Sequence, residues 1–509
     1  MQIRGNFNCG WRAAYDTIHS HFLKKENFMF FGRDETIDQL NGLLKKRVAS
    51  LVTCRGRRRI GKSTLIEVFA NRARCRFLKI EGRKPEKGMT NEDELAAFAK
   101  QLSDQTSAET TPPSNWPDAF RRLDSQIHDR ERTVVLLDEI SWMAYFDNAF
   151  ASDLKIAWDN LFKKHDKLVM VVCGSVSSWI RDNIIDNGAF LGRRSLDIVV
   201  KELPLAECAK FWGPAASRID EREIIDVLSV TGGVPRYLEE IDPALSAAEN
   251  IRRLCFLPNS ILRTDFDEMF REVITHELDF SASVLRHLAD GAKSAAEITA
   301  EMNLGKGGRV TAALGRLKEA GLAAEDLSIN PETGKPAREV RYRLCDNYSR
   351  FFIKYVEPMK NTIDNGMFEF VSLDALDGIE TIFGLAFENL VINNCRALIP
   401  MLNLTGTLVT SAAPYRRSAS ESPRGRKGCQ IDLLVQTRHT ICVVEIKRRR
   451  EIGREVINEV DAKVRAIARP DGVSARAAIV YSGHLSPTVA AAGYFDAIVP
   501  FGKLLGIQR

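Results

Sequence analysis

Apolar positions along the chain follow two different periods. Short unbroken apolar runs occur at ASLVTC (49–54), RTVVLLDEI (132–140), KLVMVVCGS (167–175) and LDIVV (196–200), with RFLKIEG (76–82) as a further strand pattern. Runs this short and this apolar predict strands buried on both faces. Their alternation with helical segments predicts an α/β domain around a parallel sheet. From about 201 to 270 the pattern turns helical, punctuated by TGGVPRYLEEI (231–241). A smaller unit follows. Phe280, Val284, Leu285 and Leu288 have helical spacing, Ile298 and Met302 mark a second helix, and Val310, Leu314 and Leu317 a third that ends at Gly321. Residues 323–344 then read as two strands around a Pro/Gly/Thr turn. Three helices and a hairpin are the pattern of a winged helix-turn-helix.

The last segment opens on a predicted helix, IETIFGLAFENLVINNCRALI (379–399), with Phe383, Phe387, Leu390, Val391 and Leu398 turned inward and Glu388 at the edge of the stripe. Two strands follow within IDLLVQTRHTICVVEIKRRR (431–450), then a helix and the strand ARAAIVYSG (475–483). There are no internal repeats. A length of 509 residues suggests roughly three or four domains of about 100–200 residues.

Composition narrows the class. The 10 cysteines form no C-x-x-C pair and do not cluster with the 8 histidines, which argues against a zinc site or a disulfide framework and for a reducing, cytoplasmic setting. No apolar run approaches the roughly 18 residues of a membrane helix, and the N-terminus lacks the apolar stretch of a signal peptide. The net charge of +5 says little, but its distribution says more. YRRSASESPRGRKG (415–428) reads as a flexible basic loop with Arg416, Arg417, Arg424, Arg426 and Lys427, and KRRREIGR follows Glu445. Arg309, Arg316 and Lys318 lie on the third helix of the smaller unit, with Lys335, Arg338, Arg341 and Arg343 on its hairpin. Such clusters suit the phosphate backbone of DNA, although solvated surface charge or a protein-binding winged helix would look the same.

Candidate chemistry begins at GRRRIGKS, which fits G-x-x-x-x-G-K-[ST] without a gap: Gly56, Gly61, Lys62 and Ser63, adjoined by Thr64. The glycines let backbone N–H groups curl around phosphates at a helix N-terminus. Lys62 would reach the β- and γ-phosphates of ATP, and Ser63 would ligate Mg²⁺. Asp138 ends an apolar strand, where it can hold Mg²⁺ through water, and Glu139 is placed to polarise the attacking water. Ser175 at the end of VMVVCGS is either a polar sensor of the γ-phosphate or a cap of the next turn. Arg193 and Arg194 are either an arginine finger for a neighbouring subunit or a solvated basic turn. Arg236 either reaches the nucleotide or belongs to a hinge turn made by Gly232, Gly233 and Pro235.

The set FFGRDETIDQL, GRRRIGKST, LLDEISWM, VCGS, GRR and TGGVPRYLEE resembles the archaeal-type ATPases of the STAND-related AAA+ superfamily. The resemblance runs from about residue 29 to the end and implies a winged helix followed by a C-terminal domain similar to PD-(D/E)xK nucleases. It also implies a setting in defence against foreign DNA; a homo-oligomer is a separate expectation, since an arginine finger acts on a neighbouring subunit. The expected organisation is an N-terminal extension (1–28), a P-loop ATPase core (29–200), a helical lid (201–272), a winged helix-turn-helix (273–358) and a restriction-endonuclease-like α/β domain (359–509).

A candidate nuclease site follows from strand geometry. Residues two apart on a strand share a face, so Glu445 and Lys447 point the same way, and a hairpin can bring Asp432 beside Glu445. Asp432 and Glu445 would hold Mg²⁺ or Mn²⁺, Lys447 would orient or deprotonate a water, and Glu388 would be an accessory carboxylate. The expected function is an ATP-regulated DNA-binding protein that cuts DNA. The alternatives are a STAND-like regulatory switch that binds DNA or a partner without cleaving it, and a repair or recombination motor, for which there are no helicase motifs.

Overall fold

The computed structural model describes residues 30–175, 177–274, 277–305, 307–337, 339–368, 371–417 and 428–507. The expected extension 1–28, Arg338 of the hairpin, and Arg424, Arg426 and Lys427 of the basic loop lie outside the described residues.

Strands β1 (Ser50–Arg55), β2 (Arg76–Glu81), β3 (Thr133–Asp138), β4 (Leu168–Gly174) and β5 (Arg194–Val199) form one parallel sheet in the order β2-β3-β4-β1-β5. Every residue of β3 and β4 is buried, as unbroken apolar runs demand. The edge strand β5 is mostly half-buried or exposed, with Ile198 alone buried. Parallel pairing puts the carboxyl ends of β1, β3 and β4 on one edge of the sheet. That edge carries the phosphate-loop motif, the Asp138–Glu139 pair and Ser175.

Helices Leu205–Ala209, Glu221–Thr231, Pro235–Leu238, Ala247–Cys255 and Ile261–Val273 follow. Next come helices Leu278–His287, Ala295–Glu301 and Arg309–Glu319, then β7 (Ala323–Asp326) and β8 (Arg341–Leu344). A third strand, β6 (Lys293–Ser294), pairs with β8 to give the antiparallel order β6-β8-β7. Two residues are too few to show a period, so β6 has no signature in the sequence.

The stretch Asn347–Val356, Asn347–Phe351 continuing as a wider turn through Phe352–Val356, is helical and buried on nearly every side. Phe352 stacks on Phe266 with centroids 4.5 Å apart, and Tyr348 Oη accepts from the Phe266 N–H (2.9 Å) and donates to the Leu262 carbonyl (2.7 Å). A helix enclosed all round has no polar face, so its sequence shows no stripe.

The predicted helix over 379–399 is two pieces, Ile379–Asn393 and Cys395–Leu402, bent by 71°. Asn394 at the break donates to the Leu390 carbonyl (2.8 Å) and accepts from the Leu205 N–H (3.3 Å), bonds that compete with the helix ladder. Among the described residues no single helix is long and apolar enough to cross a membrane.

A separate mixed sheet closes the chain: β9 (Val409–Arg417), β10 (Cys429–Thr437), β11 (Thr440–Ile452), β12 (Ser474–Leu485) and β13 (Ala497–Pro500), ordered β13-β12-β11-β10-β9. β9, β10 and β11 are antiparallel, and β11, β12 and β13 are parallel, with helix Glu455–Ala466 making the crossover from β11 to β12. Two expectations need correction. Tyr415, Arg416 and Arg417 are not loop residues, because they pair in β9 with Ile431, Gln430 and Cys429. The arginine run after Glu445 continues β11, and Arg448 is 2% exposed between Asp226 (2.5 Å) and Glu380 (2.6 Å). Arg448 therefore ties the mixed sheet to the helical segment and is not a surface contact for phosphate.

Removing one partner of a buried ion pair leaves the other charge unpaired. Arg448→Met should therefore cost about 1–3 kcal/mol by chemical denaturation, and Asp226→Asn combined with it should restore part of that loss by removing the unpaired charge.

Candidate nucleotide site and carboxylate cluster

The phosphate loop connects β1 to helix Lys62–Arg72. Gly61 caps that helix at φ 82°, a left-handed conformation that a side chain disfavours. Gly56 passes so close to the Val200 backbone that a Cβ would meet the Val200 carbonyl oxygen at 2.4 Å. Lys62 is buried, and its ammonium donates to the Arg57 carbonyl (3.1 Å) and to Ser175 Oγ (3.2 Å). Ser63 Oγ donates to Asp138 Oδ2 (2.5 Å), and Thr64 is partly buried in the same first turn. Glu139, at φ 46°, accepts from the Ser175 N–H (3.1 Å) and from Ser175 Oγ (2.6 Å). The fold thus brings Lys62, Ser63, Asp138, Glu139 and Ser175 into one network. The Ser63 hydroxyl and Asp138 carboxylate are hard oxygen donors of the kind Mg²⁺ takes.

Lys79 has no motif to announce it. It projects from β2 to within 3.4 Å of Asp138 Oδ2 and 3.1 Å of Glu81 Oε2. Burial disfavours its ammonium, but Asp138 and Glu81 outweigh that and raise its pKa.

Two arginines in the x positions of the loop are also part of the site's architecture. Arg57 is buried against Asp346, with Glu202 Oε1 at 3.7 Å, and it donates to Tyr237 Oη (3.5 Å). Burial works against its charge and Asp346 more than compensates, so its pKa is raised. Arg59 pairs with Asp265 and, at 3.4 Å, with Glu268; Tyr237 Oη donates to Asp265. Burial, reinforced by Asp346, pushes the Glu202 carboxyl up to about 7.

The three arginine candidates fare differently. Arg193 is held bidentately by Asp159 at 2.8 and 2.9 Å, so a role on a neighbouring subunit requires breaking that pair. Arg194 lies in β5 and donates to the Ile185 carbonyl (3.3 Å). Arg236 pairs with Glu239 (3.4 Å) and Glu240 (2.6 Å) on its own surface rather than with the phosphate loop.

Residues 30–241 match the family model described as an ATPase domain predominantly from Archaea. This part of the chain is similar to archaeal ATPase domains, and it carries the phosphate-loop motif. The chain is 22% identical over 351 residues to an uncharacterized protein of Methanocaldococcus jannaschii, covering 68% of this chain and 73% of that one. Among solved structures, a Walker-type ATPase of Pyrococcus abyssi is similar with a TM-score of 0.44 and 19% identity, over 64% of this chain and 96% of that one. The ORC2 protein of Aeropyrum pernix, in ADPNP–ADP complexes, has a TM-score of 0.41 and 16% identity, over 67% and 97%.

Beyond the ATPase domain, the mixed sheet gathers a second group of titratable residues. One step past the Leu433–Val444 pair, Asp432 on β10 lies opposite Glu445 on β11, and Asp432 Oδ2 accepts from the Ile446 N–H (2.9 Å). Glu445 is fully buried. Lys447 Nζ stands 2.7 Å from Glu445 Oε1 and 3.1 Å from Glu459 Oε2. A second lysine, Lys463 on the crossover helix, lies 2.5 Å from Glu445 Oε2 and 3.6 Å from Asp432 Oδ1. Helical spacing alone makes Lys463 an ordinary polar position, so nothing in the sequence flagged it. Burial and the neighbouring Glu445 raise the Asp432 pKa. Burial, then Asp432, hold the Glu388 carboxyl at about 7. Asp432 and Glu388 line a cavity of about 370 Å³ whose other wall includes Arg341 and Arg343 of β8. Among the described residues no group of three His, Cys, Asp or Glu is set to hold a metal ion. The Asp432 and Glu445 oxygens are nevertheless hard donors suited to Mg²⁺ or Mn²⁺.

Arg57→Met should destabilise the protein by about 3–5 kcal/mol, because Asp346 would be left buried without its partner; urea denaturation measures this. Glu202 has a raised folded-state pKa, so its contribution is fully present below the unfolded value and is lost as pH rises through about 7. Glu202→Gln should therefore gain stability over the natural protein between pH 5 and pH 8. With its side chain 26% exposed, the gain should be about 2 kcal/mol on comparing urea midpoints at the two pH values.

Proposed function

We propose that the chain is an ATP-regulated DNA-binding protein whose mixed-sheet domain is a metal-dependent, PD-(D/E)xK-like DNA endonuclease. The observation that carries this reading is the juxtaposition of Asp432, Glu445 and Lys447 on adjacent strands, joined to an ATPase domain. In the ATPase domain, the loop N–H groups and Lys62 would bind the phosphates, Ser63 and Asp138 would hold Mg²⁺, and Glu139, oriented by its two bonds from Ser175, would accept a proton from the attacking water. In the mixed-sheet domain, Asp432 and Glu445 would hold Mg²⁺ or Mn²⁺, and Lys447 would orient the water. A bound divalent cation there would supply Lewis-acid stabilisation of charge on the scissile phosphate. The unit of three helices and a small antiparallel sheet is the winged helix-turn-helix of this reading, and DNA is its ligand. The active form is a homo-oligomer.

Regulation by ATP is supported by a continuous set of contacts. Arg57 of the phosphate loop holds Asp346, which opens the buried helix from Asn347. Asn347 donates to the Ala386 carbonyl (3.2 Å) and accepts from Asn389 (3.1 Å), on the helix that carries Glu388. Arg343 of β8 donates to Asn389 (2.7 Å) and Asn393 (2.8 Å) of that helix. Arg341 and Arg343 of β8 line the same cavity as Asp432 and Glu388, so the β6-β8-β7 unit stands beside the candidate nuclease site.

A second reading, a regulatory ATPase switch that binds DNA or a partner without cutting, draws on the pairing of Glu445 with two lysines. Cleavage of plasmid and linear DNA with Mg²⁺ or Mn²⁺, without nucleotide, with ATP and with a non-hydrolysable analogue, separates the two. The expected result is cleavage that Glu445→Ala abolishes and Lys62→Ala alters. DNA binding and ATP hydrolysis without cleavage under any condition would favour the switch. Glu139→Gln should retain ATP binding and lose hydrolysis by about 10²–10⁴-fold, read by nucleotide binding and phosphate release.

A further inference from the structure

We propose that Lys463 is a positioning residue of the mixed-sheet site: its ammonium balances Asp432 and Glu445 in the cation-free protein, and a divalent cation enters only by displacing it. The inference rests on the reading that Asp432 and Glu445 take a divalent cation. Two adjacent carboxylates with little access to water need a compensating charge, or one of them must hold a proton. Lys463 supplies that charge for both, at 2.5 Å from Glu445 Oε2 and 3.6 Å from Asp432 Oδ1. Lys447 does not duplicate this role. It approaches the other oxygen of Glu445 and is drawn towards Glu459, on the crossover helix. Asp432 is engaged on Oδ2 by the Ile446 N–H, which leaves Oδ1 directed to Lys463.

The chemistry then follows from charge. A divalent cation and an ammonium repel each other, so the cation and Lys463 compete for the same two carboxylates. Lys463 can leave because its side chain is 23% exposed and has a flexible four-carbon stem. It comes from the crossover helix, whereas the carboxylates come from the sheet, so its departure does not disturb β10 or β11. Cation affinity is thereby set by a residue outside the D-x(n)-E-x-K pattern.

The test is Mn²⁺ binding to the full chain without nucleotide, by calorimetry and electron paramagnetic resonance, together with thermal unfolding with and without Mn²⁺. The proteins compared are the natural protein, Lys463→Met, Lys463→Gln, Lys463→Arg and Glu445→Ala. The Mn²⁺ that counts is the fraction lost in Glu445→Ala. The expected result is tighter Mn²⁺ binding in both neutral variants, on the order of tenfold, from the lost electrostatic competition. Both should also melt lower than the natural protein without metal and recover with Mn²⁺, while Lys463→Arg behaves like the natural protein. Equal or weaker binding in Lys463→Met and Lys463→Gln, with binding still lost in Glu445→Ala, overturns the role of Lys463 and leaves the cation site standing. No Glu445-dependent binding in the natural protein overturns the cation site itself, and this proposal with it. Neutral variants that fail to fold and are not rescued by Mn²⁺ overturn the proposal as well.

Discussion

Arg57 occupies a variable position of the phosphate loop, yet its partners come from distant parts of the chain: Glu202 after β5, Tyr237 in the helical segment, and Asp346 at the start of a buried helix. A guanidinium taken out of water survives there only because a carboxylate is fixed against it. Asp346 is fixed in turn by accepting from the Ser349 N–H and hydroxyl, in the first turn of the helix it caps. The phosphate loop is therefore a joint where the ATPase core, the helical segment and the C-terminal half meet. Arg59, on Asp265 and Glu268, repeats the arrangement at the next available position.

The same logic of buried charge governs the mixed sheet. Glu445 is fully enclosed and answered by two lysines from different elements, and Arg448, three residues along, is enclosed and answered by Asp226 and Glu380. One strand thus carries a candidate catalytic group and a structural bridge almost side by side. A basic run after a carboxylate looks uniform in composition, but the strand's alternation and its neighbours assign each charge a different task. Glu388 and Asp432 line one cavity together with Arg341 and Arg343 of β8. The cluster is in this way joined physically to the unit that precedes it, and through Asn347 and Asp346 to the phosphate loop.

Much of this was legible along the chain. Mostly apolar runs specify β1, β3 and β4, because a strand buried on both faces has few places for a polar side chain. Gly56, Gly61, Lys62 and Ser63 have a fixed spacing because a phosphate loop demands those backbone angles and donors, and Asp138 and Glu139 end an apolar strand for a related reason. Asp432, Glu445 and Lys447 were visible because residues two apart share a strand face. What the tertiary structure alone decided has a common cause: it depends on which distant residue answers a buried charge or fills a gap. Arg57, Lys79 and Lys463 are ordinary polar positions until Asp346, Asp138 and Glu445 are folded against them. Strand β6 is too short to have a period, and the Asn347–Val356 helix is too thoroughly enclosed to have a stripe. Local pattern determines elements and motif spacing, whereas the pairing of buried charges is a long-range property that only the packed chain specifies.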